Sequence, residues 1–87
     1  MENFHNSIRS IQLQAEGNMP AINKEIDTII ETKKQNVEQI EVILDILLNY
    51  EFMGVGSAAF NRLNNYYRTF NEEAYNDWVS IREMMSE

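Results

Sequence analysis

Apolar residues recur at steps of three and four along nearly all of this 87-residue chain, and that period belongs to amphipathic helices. In residues 20–51 the set is Ile22, Ile26, Ile29/Ile30, Val37, Ile40, Leu44 and Leu47/Leu48. After Ser57 it is Phe60, Leu63, Tyr67, Phe70, Ala74, Trp78, Ile81 and Met85, close to a heptad. A shorter run, Phe4, Ile8, Ile11 and Ala15, opens the chain. The strict alternation of a half-buried strand occurs nowhere. Three glycines and one proline are also too few for a turn-rich β-protein. The fold class expected is all-α.

Two joints divide the pattern. At Gly17-Asn18-Met19-Pro20, glycine suits a helix end because it takes positive φ without a Cβ clash, and proline suits the first turn of the next helix. At Gly54-Val55-Gly56-Ser57, two glycines break a helix and Ser57 can cap the one that follows. The reading is one domain over residues 1–87, with helices over about 3–15, 20–51 and 57–85. At ~1.5 Å per residue the two longer helices span roughly 45 Å each, and a short glycine turn folds them into an antiparallel hairpin.

The expected core stripe is Ile26, Ile30, Val37, Ile40, Leu44, Phe60, Leu63, Tyr67, Phe70, Trp78 and Ile81. It does not use every large apolar side chain. Val42, Ile43 and Ile46 lie on other faces of the second helix, Tyr66 and Tyr75 fall off the stripe of the third, and Met84 is near its end. These six are the interface candidates, and a long hairpin is expected to complete a bundle by oligomerising or by taking a partner chain.

Composition removes most chemistry. The absence of cysteine excludes disulfides, thiolate metal sites and a cysteine nucleophile, and a single histidine excludes a His–His zinc pair. His5 stands beside Asn6 near the start of the chain, and no serine–histidine–acid set can be assembled around it. Gly54-Val55-Gly56 lacks the lysine and hydroxyl of a phosphate-binding loop and follows no strand. Glu38, Glu41 and Asp45 share a helix face, which reads as solvated surface or as a docking face for a basic partner. No catalytic, cofactor-binding or metal-ligating residues are expected, and the chain reads as a non-enzyme. A net charge of −7 argues against nucleic acid or an anionic membrane surface as partner. No apolar stretch approaches the ~20 residues of a membrane span, and residues 1–16 hold no apolar h-region, so no cleaved secretory signal is expected. The expected location is the cytoplasm, or outside the cell by a leaderless route.

Around the second joint the residues form a pattern: Phe52-Met53-Gly54, then the small residues Gly56-Ser57 and Ala59, then Phe60, Leu63 and Tyr67. This resembles the centre of the small WXG proteins of type VII secretion, with Phe52 where those carry tryptophan. Asn71 and Val79 stand four residues after Tyr67 and Tyr75, where that family's export pattern carries an acid. The resemblance implies a helical hairpin with Phe52, Gly54, Gly56 and Ser57 at its turn. It also implies a secretion partner or targeting factor that binds a sister protein or toxin. The other expectation is an inhibitor or immunity-type protein, encoded by a phage or a bacterium, that binds and silences one target with its acidic surface.

Overall fold

The computed structural model describes residues 4–51 and 53–85, with side chains from Leu13 onward. All regular structure among the described residues is helical. The helices are α1 (Phe4–Glu31), α2 (Val37–Glu51), α3 (Ser57–Arg68) and α4 (Glu72–Met85). The all-α class stands, but both long expected helices are divided and the first joint is not a joint.

α1 runs straight through Gly17 and Pro20. The reason lies in the phase of its apolar stripe. Ala15, Met19, Ile22, Ile26 and Ile29 continue the same steps across both breakers, and all five are buried or packed against the core. Pro20 leaves the carbonyl of Glu16 without its usual i+4 donor and costs the helix about 3 kcal/mol. Interrupting the helix would instead put the two halves of the stripe out of register.

The division of the expected second helix falls at residues 32–36, a stretch with no apolar side chain. Lys33 adopts a left-handed φ of 55°. Its N–H bonds Ile30 O at 3.2 Å and the Lys34 N–H bonds Ile29 O at 3.0 Å, which closes α1 with the paired bonds of a Schellman cap. Asn36 then starts α2: its Oδ1 accepts the Gln39 N–H at 3.1 Å. The third expected helix breaks at residues 69–71 by the same device. Asn71 Oδ1 accepts the Ala74 N–H at 3.1 Å, and Glu72 and Glu73 place negative charge in the first turn of α4.

The glycine turn falls where the sequence places it, with a different cap. Gly54 (φ 71°) and Gly56 (φ 87°) are both left-handed, and the Gly54 and Val55 N–H groups bond the carbonyls of Glu51 and Tyr50 at 3.0 and 3.2 Å. Gly56, not Ser57, occupies the N-cap of α3, with no side-chain cap. Ser57 is the first helical residue, and its hydroxyl accepts from Arg82 at 2.6 Å. Phe52 lies outside the described residues.

Cross-helix bonds give the topology. Asn18 meets Tyr50 and Gln39 meets Glu25, so α1 and α2 run antiparallel. Glu41 meets Tyr67 and Asn64 meets Tyr75, so α2–α3 and α3–α4 do the same. Three short hairpins in succession replace the single long one. The core lies where α2 and α3 meet the C-terminal half of α1: Ile26, Ile29, Ile40, Leu44, Leu47, Phe60, Leu63 and Tyr67 are fully buried. α4 contributes no buried residue.

Several stripe assignments change as a result. Ile30, Phe70 and Trp78 are half-buried, packed against the edge of the core. Val37 is exposed because it is the first residue of α2 rather than mid-helix. Ile81 is exposed because its neighbour Arg82 already reaches Ser57, the first residue of α3, so little of α3 remains to cover it. The radius of gyration is 14.2 Å, against about 12 Å for a compact chain of this length. The molecule is elongated and keeps more surface in water than a sphere would.

Candidate interaction face

The six interface candidates separate into three groups. Ile43 is 5% exposed and belongs to the core of this chain. It sits on the inner side of α2, between Ile40 and Leu47, and is not an exposed apolar side chain like Val42. Tyr66 and Tyr75 are half-buried with partners of their own. The Tyr66 hydroxyl donates to Lys34 O at 2.8 Å, and its ring meets Phe70 edge-on at 5.5 Å. The Tyr75 ring lies 5.3 Å from the Arg68 guanidinium carbon. Val42, Ile46 and Met84 remain exposed, at 54%, 36% and 74%.

Val42 and Ile46 act together. They are four residues apart, one turn along α2, so their side chains form a ridge on the outer surface of that helix. The ridge borders a groove of about 330 Å³ between α2 and α1, lined also by Glu25, Asn36, Glu38, Gln39 and Ile43. Met84, at the end of α4, does not line this groove. Leu13 on α1 is a further exposed apolar residue that the periodicity did not single out.

The charges around this groove differ from those elsewhere. On the α3–α4 side each arginine has a carboxylate: Arg62 pairs with Asp27, Arg68 with Glu72 at 3.6 Å and Arg82 with Glu51 at 3.0 Å. Arg62 also donates to the Asn23 carbonyl and side chain at 3.3 and 3.2 Å, tying α3 to α1. Among the described residues no lysine or arginine pairs with Glu38 or Asp45, which flank Val42 on the exposed face. Glu25 accepts one hydrogen bond, from Gln39 at 2.9 Å. Glu41 is half-buried and turns toward α3 and α4. Its Oε2 accepts the Tyr67 hydroxyl at 2.8 Å and the Trp78 indole N–H at 3.3 Å.

A second concavity, about 480 Å³, lies between α3 and α4. Asn61, Asn64 and Asn65 line one wall, and Tyr75, Val79 and Arg82 the other. Asn64 is 2% exposed. Its amide nitrogen donates to Tyr75 O at 3.4 Å, and its Oδ1 is buried without a partner. Arg82 is committed to the fold, donating to Glu51, Asn61 and Ser57 with its guanidinium over the Phe60 ring. The i, i+3, i+4 spacing of the three asparagines is the sequence signal for this wall.

Among the described residues there is no group of three or more histidine or acidic side chains placed to hold a metal ion. No helix among them is long and apolar enough to cross a membrane. The His5 side chain lies outside the described side chains. Comparison with protein-family models, with curated proteins and with solved structures finds no match.

Proposed function

We propose that this chain is a non-enzymatic protein–protein interaction module that receives its partner on the outer face of α2. One observation carries the reading: after four helices have packed, Val42 and Ile46 still form an apolar ridge in water, bordering a groove edged by acids. The turn of left-handed glycines between α2 and α3 is compatible with the resemblance to the small helical partners of type VII secretion. On that reading the partner is a sister protein or toxin. The unpaired Glu38 and Asp45 favour a second reading, an inhibitor or immunity-type protein that covers a basic surface of its target.

The test is affinity capture from the native host with wild type and with the Val42→Glu/Ile46→Glu variant, alongside sedimentation of both. A protein held by wild type and lost by the variant supports the module. A monomer whose captured proteins are unchanged by the substitutions overturns it. The identity of the captured protein, a secretion component or a basic toxin, separates the two readings.

A further inference from the structure

We infer that the Val42–Ile46 groove takes the apolar edge of a basic amphipathic helix, an assignment that rests on the interaction-module reading. A ridge of side chains four apart on a helix packs best into the groove of another helix, with axes about 8–10 Å apart. Here the ridge is Val42 and Ile46, and the buried Ile43 extends the apolar lining inward.

Charge decides which helix. Glu38 precedes Val42 by four residues and Asp45 follows it by three, so both carboxylates share its exposed face of α2. Glu25 lines the same groove from α1. Burying the ridge brings a partner's polar flank against these groups. Lysine or arginine there supplies the cations that Glu38 and Asp45 lack among the described residues. A second copy of the chain is disfavoured, because a two-fold interface sets the same patch against itself and would bring like carboxylates together. Lys33 and Lys34 lie in the loop just before Asn36, so along α2 Asp45 is the carboxylate farther from these lysines.

The experiment uses the full chain and a fluorescently labelled helical peptide with leucine along one face and lysine along the other. Anisotropy should show binding that weakens as salt is raised. Val42→Gln/Ile46→Gln keeps every charge and should weaken binding about tenfold or more. Glu38→Gln/Asp45→Asn should weaken it as well and flatten its salt dependence. Glu73→Gln/Asp77→Asn removes the same charge from α4 and should change affinity by less than about twofold. A peptide with glutamate in place of lysine should not bind.

If the α4 control weakens binding as much as the α2 pair, or if Val42→Gln/Ile46→Gln has no effect, attraction is mere net charge and the inference falls. A homodimer that dissociates on Val42→Gln/Ile46→Gln, with no peptide binding, overturns the basic helix as occupant but leaves the module reading intact. No peptide binding, no self-association and no ridge-dependent capture overturn both.

Discussion

The hydroxyl of Tyr67 donates to the carboxylate of Glu41 at 2.8 Å from within the core, joining α3 to α2. Burial, then the hydrogen bond to Glu41 and its negative charge, push the Tyr67 phenol from 10.0 up to about 12. The folded state therefore holds the proton over a range where the unfolded chain has released it. Stability from this group is complete below pH ~10 and is lost as pH rises toward about 12. Over that window the loss is on the order of 2 kcal/mol. Tyr67→Phe should flatten the alkaline limb of a denaturation-midpoint profile. Absorbance titration should show one fewer late-titrating tyrosine in the variant. An unchanged profile would mean that the hydroxyl is not held by Glu41.

The continuous α1 makes an opposite kind of prediction. Gly17 has open space where a Cβ would go, and Pro20 is exposed in the helix interior. Gly17→Ala should stabilise by about 0.5–1 kcal/mol, and Pro20→Ala by up to about 3 kcal/mol by restoring a donor for the Glu16 carbonyl. Chemical denaturation measures both. If either destabilises markedly, a joint exists at residues 17–20 and the chain divides there.

At the α2–α3 turn the two glycines should differ. A Cβ on Gly54 meets nothing within 4 Å, so Gly54→Ala carries only the left-handed backbone cost of about 1–2 kcal/mol. A Cβ on Gly56 would lie 3.0 Å from Leu47 Cδ2 in the core. Gly56→Ala should therefore cost more than Gly54→Ala, and Gly56→Val more again. Equal losses at the two positions would show that Gly56 does not approach Leu47.

Arg82 is the latch of α4, a helix with no buried residue of its own. It donates to Ser57 and Asn61 on α3 and pairs with Glu51 at the end of α2. Arg82→Ala should lower stability by about 1–3 kcal/mol, and Arg82→Lys should recover only part of it, since one ammonium cannot reproduce the planar fork. Hydrogen exchange should find α4 the first helix to open, and faster still in Arg82→Ala. Uniform protection across α3 and α4 would rule out separate opening.

The sequence by itself determined the helical class, because a three-and-four period places apolar side chains on one face only when the chain is coiled. It also determined the left-handed turn at Gly54 and Gly56, where only glycine is free of strain. The other boundaries were legible only in part. The stripe from Ala15 to Ile29 keeps its phase across Gly17 and Pro20, a signal against a break that outweighs the local breaker chemistry. Asn36-Val37-Glu38-Gln39 and Asn71-Glu72-Glu73 carried N-cap signatures inside runs that periodicity read as unbroken. Only the tertiary structure decided which apolar faces remain in water. Val42 and Ile43 are neighbours in sequence and similar in chemistry, yet one is exposed and the other belongs to the core. Their difference follows from how α2 is rotated against α1 and α3. That rotation is a property of three helices packing at once, and no local run of residues encodes it alone.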